Sequence, residues 1–267
     1  MLQLLHLVKH FGGIRAVDDV SFTVSPGECV ALIGPNGAGK STCFACIAGQ
    51  YQPTSGTLTW CGQNLMPLLP AARLRLGIAR TFQVAQVFGA LSVLQNVQLS
   101  VEAGRGLKAI SSLKALDHQS PETAYALLEK TGLASLADHS VLSLPYGAKK
   151  RLELAMALAS RSGELQALAT GMSTDRASPL LLLDEPAAGL AGPERAELMH
   201  LVKSLAAQGM AVLYTEHNMD AVAGVADRVL VLIEGRLVAQ GSFDAIARDS
   251  TVRLRYLGTP AGASGHA

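Results

Sequence analysis

Lys40 closes a run, Gly34-Pro35-Asn36-Gly37-Ala38-Gly39-Lys40-Ser41, whose residue types and spacing fit the phosphate-binding pattern G-x-x-x-x-G-K-[ST]. Glycines let consecutive backbone N–H groups turn toward phosphate oxygens, a helix start adds partial positive charge, and the lysine amine reaches the β- and γ-phosphates. The Ser41 hydroxyl is a candidate ligand for Mg²⁺. The pattern carries this meaning only between a strand and a helix. Cys29 to Ile33 reads as a short buried strand, and Ser41 to Ala48 as the first turns of a helix.

A second chemical group follows the apolar run Leu180 to Leu183, where Asp184 and Glu185 stand side by side. Carboxylates at the end of a parallel strand face the ligand crevice of an open α/β sheet. There Asp184 can hold Mg²⁺ through a water, and Glu185 can take a proton from an attacking water within hydrogen-bond reach. His217 lies just past a third apolar strand, Ala211 to Thr215, and so at the same sheet edge. Gln83, after Ile78 to Phe82, both donates and accepts and can sense a metal-bound water. Phe11, beside Gly12 and Gly13, has two open readings: a face for an adenine ring, or a core residue.

These groups need a scaffold. Leu2 to Val8 and Val20 to Val24 read as strands separated by glycine and proline turns, a β-rich entry to the phosphate loop. Thr57 to Trp60 reads as a strand and Pro70 to Leu76 as a short helix. Leu91 to Ala103, Pro121 to Lys130 and Gly147 to Ala159 then show helical spacing, with a polar loop from Gly104 to Gln119 between the first two. Residues 161–178 form a weakly patterned connector, a surface loop or a docking site for another subunit. Beyond Asp184, a helix over Pro193 to Ala207 and a hairpin over Arg228 to Ile233 and Arg236 to Gln240 complete the core. A helix capped by Ser242 follows, and a disordered tail is expected from Thr259.

With 267 residues, 49% of them hydrophobic, the chain can bury a full core. Its net charge of +1 speaks against a nucleic-acid partner. No apolar run approaches the length of a membrane span, and the first residues lack the features of a secretory signal. Cys43 and Cys46 spell C-x-x-C but lie on the helix opened by the phosphate loop, with no second pair at zinc spacing. All four cysteines, Cys29, Cys43, Cys46 and Cys61, are read as small core residues in a reducing cytosol.

The succession GPNGAGKST, RTFQ, LPYG, LLLLDEP, AGL and EHNMD resembles the ATP-binding subunits of ABC transporters across nearly the whole chain. The stretches FGGIRAVDDVSF, PYGAKKRLELAMALA, DEPAAGL and RYLG are most similar to the first ATPase of importers for branched-chain amino acids, urea or short amides. The resemblance implies an α/β P-loop NTPase fold with an antiparallel β subdomain and a helical subdomain. Residues 1–82 would form the nucleotide core with its β subdomain, 83–160 the helical signature subdomain, 161–240 the rest of the core, and 241–267 a terminal helix and tail.

It further implies ATP and Mg²⁺ as ligands, with Phe11 as adenine platform and Gly34, Pro35, Asn36, Gly37, Ala38, Gly39, Lys40, Ser41 and Thr42 as phosphate loop. Ser41, Gln83 and Asp184 would serve the metal, while Lys40, Gln83, Glu185 and His217 would serve catalysis, with Glu185 as the base, His217 as the γ-phosphate contact and Gln83 in the loop that couples nucleotide state to the membrane subunits. Leu144, Pro145, Tyr146, Gly147 and Ala148 would be the signature offered in trans to a second ATPase subunit, expected to be a different chain. Two membrane permease subunits and, indirectly, a solute-binding protein complete the implied assembly on the cytoplasmic face of the membrane. No nucleic acid is expected.

Three positions depart from the family pattern. Pro145 has neither a hydroxyl nor an N–H for a γ-phosphate, Ala148 lacks the usual amide, and Ala191 replaces an aspartate or asparagine. The expectation is asymmetry, with a competent site on this chain's own phosphate loop and a weak one completed by its signature. Phe82, Val84, Val87 and Phe88 either line a groove for a helix of a membrane subunit or belong to the core. The competing functions are a non-transport ABC ATPase and a nucleotide-binding regulatory module; a GTPase is disfavoured because no N-K-x-D motif occurs.

Overall fold

The computed structural model describes residues 1–82, 85–104, 121–159 and 179–257. The expectations for Gln83 and Val84, the polar loop that follows Gly104, the 161–178 connector and the tail from Thr259 lie outside the described residues.

In chain order the elements are β1 (Leu2–Phe11), β2 (Ile14–Val24), β3 (Cys29–Ile33), α1 (Lys40–Ala48), β4 (Ser55–Trp60), β5 (Gln63–Asn64), α2 (Pro70–Arg75) and β6 (Ile78–Arg80). There follow α3 (Val93–Gly104), α4 (Pro121–Lys130), α5 (Tyr146–Ala159), β7 (Leu180–Asp184), α6 (Gly192–Ala207) and β8 (Ala211–Thr215). The chain continues through α7 (Met219–Ala223), β9 (Arg228–Ile233), β10 (Arg236–Gly241), α8 (Phe243–Arg248) and α9 (Ser250–Val252). The β5 pair is too short to show a period in the sequence, and β1 and β2 run three to six residues further than their apolar patterns do, because their ends pair with each other across the Gly12-Gly13 turn.

Two sheets result. The antiparallel sheet has the order β2-β1-β4-β5, and the main sheet has the order β10-β9-β3-β8-β7-β6, parallel except for β10. The central strands are apolar on both faces, as expected for a parallel sheet covered on both sides. Their side chains still alternate between two cores. Val30, Leu32, Leu180, Leu182, Ala211 and Leu213 face α1 and the antiparallel sheet. Ala31, Leu181, Leu183, Val212 and Tyr214 instead face the helices, in a core that runs without interruption into α3, α4 and α5. Continuing the alternation by one residue puts Asp184 and Thr215 on the α1 face.

Helix α1 is fixed at its C-terminal end by Arg73, which is fully buried and donates to the carbonyls of Cys46 (2.6 Å), Ile47 (2.9 Å) and Leu68 (3.0 Å). A guanidinium at the negative end of a helix satisfies orphan carbonyls and complements the dipole, worth about 0.3–2 kcal/mol. Cys29, Cys43 and Cys46 are buried as expected, but Cys61 is exposed. It sits in the turn between β4 and β5 with φ +49°, where the chain has left the core face.

Candidate functional site

The phosphate loop leaves the C-terminal end of β3 and runs to Lys40, where α1 begins. Gly34 and Gly39 are demanded by the scaffold itself. A Cβ at Gly34 would lie 2.0 Å from the Leu232 carbonyl oxygen, and one at Gly39 would lie 2.1 Å from that of Ala16. The Gly235 N–H donates to the Ala38 carbonyl at 3.0 Å, so the β9–β10 turn buttresses the loop from behind. Lys40 is only 6% exposed, and its Nζ donates to the carbonyls of Gly34 (2.7 Å) and Pro35 (2.9 Å). Burial pulls the Lys40 pKa down, and the nearby charges of Glu185 and Asp184 partly restore it.

The acid pair stands opposite. Asp184 Oδ1 accepts from Thr215 Oγ1 at 2.9 Å and Oδ2 from Arg80 Nη2 at 2.9 Å. Arg80 also donates to Gln50 Oε1 at 2.5 Å, and its guanidinium lies 5.9 Å from the Phe44 ring and 5.2 Å from the Phe82 ring. Glu185 has φ +48°, a left-handed conformation that costs a non-glycine residue roughly 1 kcal/mol or more. Its N–H donates to the same Thr215 hydroxyl at 3.0 Å, which holds the backbone in that turn. Glu185 Oε1 lies 2.6 Å from His217 Nε2. Glu216, 3% exposed, accepts the N–H groups of Ala187 (2.9 Å) and His217 (3.3 Å) and so ties the two strand ends together. Burial raises the Glu216 pKa despite those N–H donors.

Phe11 is 42% exposed, which removes the core reading. Its ring meets Tyr51 edge-on at 5.1 Å, and the Lys9 ammonium lies 4.9 Å from the Phe11 centroid. The signature residues are placed elsewhere. Among the described residues no hydrogen bond or ion pair joins Leu144 to Ala148 to the phosphate loop. Pro145 and Tyr146 are exposed, and α5 starts at Tyr146. The Glu194 carboxylate crowds Gly147, since a Cβ there would lie 3.2 Å from it. Ala191 is the N-cap of α6 and supplies no side-chain cap. Phe88 is 51% exposed while Val87 packs on the core, so the expected groove residues divide between surface and interior.

The structure places Lys40, Asp184, Glu185 and His217 in one cleft and the signature outside it. The sequence singled out neither Arg80 nor Thr215, Glu216 or Tyr51 as site residues. Thr215 had a signal, a hydroxyl ending a run of apolar strand residues in register with Asp184. Arg80 had none, because its role depends on pairing between strands a hundred residues apart.

The cleft suits a nucleoside triphosphate and a divalent cation. The first N–H groups of α1 have no intrahelical acceptor, no acidic residue occupies its first turn, and a buried amine stands beside them. Among the described residues no group of three or more His, Cys, Asp or Glu could hold a metal. One hydroxyl (Ser41), one carboxylate (Asp184) and phosphate oxygens are, however, the donor set that Mg²⁺ takes with such substrates.

A family model described as ABC transporter matches residues 17–188. The chain is 34% identical over 265 residues to the high-affinity branched-chain amino acid transport ATP-binding protein LivG of Escherichia coli K12, covering 97% of this chain and 98% of that protein. It is 32% identical over 265 residues to BraF of Pseudomonas aeruginosa, of the same description, again over 97% and 98% of the two chains. The fold superposes with a TM-score of 0.77 on the ADP conformation of an ATP-binding cassette of an ABC transporter, at 28% identity over 97% of this chain and 99% of that one.

Proposed function

The chain belongs to the ATP-binding subunits of ABC transporters, and on that premise we propose that it hydrolyses ATP to drive an importer for branched-chain amino acids or similarly small solutes. Similarity to LivG and BraF over nearly the full length supports the solute class. The observation that carries the reading is the convergence of Lys40, the Asp184–Glu185 pair and His217 at neighbouring strand ends.

Each residue has a task that its surroundings favour. Phe11 and Tyr51 flank the adenine. The Lys40 amine leaves the carbonyls of Gly34 and Pro35 for the phosphates, which compensate its desolvation better than neutral acceptors do. Ser41 and Asp184 would hold Mg²⁺, whose chemistry is to neutralise charge on the phosphate oxygens. Arg80 and Thr215 fix the Asp184 carboxylate, so its geometry is set before the ligand arrives. Glu185 accepts a proton from the attacking water, and His217 orients Glu185 through the Nε2···Oε1 contact.

The signature lies outside this cleft, as it would if a second ATPase subunit supplied one to complete the site and received this chain's in return. The signature given in return is weak. Pro145 offers no donor, and the Glu194 carboxylate beside Gly147 sets negative charge where a phosphate would approach the α5 N-terminus. The exposed Phe88 and the neighbouring Leu142 form the surface offered to a membrane subunit. No helix among the described residues is long and apolar enough to cross a membrane, so permease subunits would provide the path.

The test is ATP hydrolysis by the chain alone and with a partner ATPase and permeases, with Glu185→Gln as control. Activity that requires the mixture and disappears in the variant is expected. Equal activity of wild type and Glu185→Gln in the mixture would overturn the assignment.

A further inference from the structure

The residue after Thr81 is gripped by two charged side chains from the signature helix. Lys150 and Glu153 stand one turn apart on α5, both buried, with Nζ and Oε2 3.8 Å apart. Lys150 Nζ donates to the Phe82 carbonyl at 3.0 Å, and the Phe82 N–H donates to Glu153 Oε1 at 2.7 Å. The Gln86 N–H also reaches the Glu153 carboxylate. The backbone donor and the backbone acceptor of one residue, Phe82, are therefore both held by one helix.

The strand end so gripped is two-faced. Arg80 points to the α1 side and bonds Asp184, while Thr81 lines a small pocket on the helical side with Lys150, Glu153 and Leu183. The Thr81 hydroxyl also accepts the Asp184 N–H at 3.4 Å. Polar contacts at both ends of the segment Arg80-Thr81-Phe82 thus link the first turns of α5, through that stretch of backbone, to both the carboxylate and the backbone N–H of Asp184. Ion pairs in such dry surroundings contribute little net stability, because desolvation offsets attraction. Burial pushes the Lys150 pKa down and the Glu153 pKa up, the signature of that cost. An apolar pair would fill the space but leave the N–H and the carbonyl of Phe82 unsatisfied.

We propose that Lys150 and Glu153 are positioning residues that lock the signature end of α5 to the strand end holding Asp184, so that occupancy of the nucleotide cleft sets the position of the signature. The proposal rests on the reading of that cleft as an ATP site. It assigns the pair a role in communication between the two nucleotide sites that neither residue performs by touching nucleotide.

Hydrogen exchange with and without Mg·ATP tests it, on a Glu185→Gln background that keeps the nucleotide intact. Amides 34–41 report binding, and amides 146–150 report the response of the signature. Mg·ATP is expected to slow exchange at 146–150 about tenfold in the background protein and in Lys150→Arg and Glu153→Gln, which keep a donor and an acceptor. In Lys150→Met and Glu153→Ala it should slow exchange at 34–41 but leave 146–150 within about twofold of the nucleotide-free value. A response at 146–150 that survives in the last two variants would overturn the proposal, as would a background protein that binds nucleotide without any response there. A purely structural role would raise exchange at 146–150 by the same factor with and without nucleotide, leave the about tenfold response in place, and so also overturn it. Absence of protection at 34–41 in the background protein would refute the ATP site itself, and the inference with it.

Discussion

The cleft side and the signature side of this molecule are built to opposite standards. Around Asp184 and Glu185 almost every polar atom already has a partner, the lysine is enclosed, and even a left-handed glutamate is held in place by a threonine hydroxyl. In the signature, Pro145 and Tyr146 are exposed, a proline immediately precedes α5, and a carboxylate leans on the buried Gly147. Under the proposed function the difference has a simple meaning: the half that would hold the reacting phosphate is organised in advance, and the half that would be offered to a partner is left open.

The strongest way to break this contrast is Glu185→Gln. It should lower turnover at this chain's own site by about 10²–10⁴-fold, the range of a lost general base, in steady-state assays of the assembled complex. The corresponding substitution in the partner should cost far less, and equal losses would end the asymmetry. Thr215→Val removes the hydroxyl shared by Asp184 and Glu185, and a lost hydrogen bond to a charged group is worth roughly 1.5–3 kcal/mol. Turnover should therefore fall by about 10–100-fold, with nucleotide affinity measured in parallel to show that the cleft still binds.

Substitutions on the other side should act mildly and in the opposite direction. Glu194→Gln, alone or with Pro145→Ser, should raise activity at the partner's phosphate loop a few-fold, in line with the about 0.3–1 kcal/mol of a charge near a helix end. The rise should shrink at high salt. Ala191→Asn supplies the missing cap of α6 and should raise stability by about 1 kcal/mol in urea unfolding. The smallest effect concerns Glu216, whose pKa is raised in the fold. Its folded form keeps a proton that the unfolded chain releases, so it contributes stability below the ordinary carboxylate pKa of 4.5 that is lost as pH rises through the folded value. Glu216→Gln should flatten that decline in unfolding measurements from pH 4.5 upward.

Much of this organisation was legible because it is local or periodic. The phosphate loop announces itself by glycine spacing, Asp184 by its place after four leucines, and α4 and β8 by patterns that end where the structure ends them. What escaped is set by pairing across the chain. Arg80 is an ordinary basic residue until β6 lies beside β7 and aims it at Asp184. Lys150 and Glu153 look like a solvated pair on a helix face, and only the packing of α5 against the end of β6 turns them inward. Cys61 went astray for the converse reason: an apolar residue type next to a buried tryptophan says nothing of the turn that carries it out of the core.

The crowding of Gly34 and Gly39 bears on what a motif can testify to. Both glycines are imposed by carbonyl oxygens of neighbouring strands, at 2.0 and 2.1 Å from where a Cβ would stand, whether or not a nucleotide ever enters. Gly37 is different, with φ +79° and open space around its missing side chain. A descendant of this chain that had ceased to bind ATP would therefore go on displaying glycine at 34 and 39 for as long as it folded. Position 37 would be the first to drift, and it is the better witness to a working site.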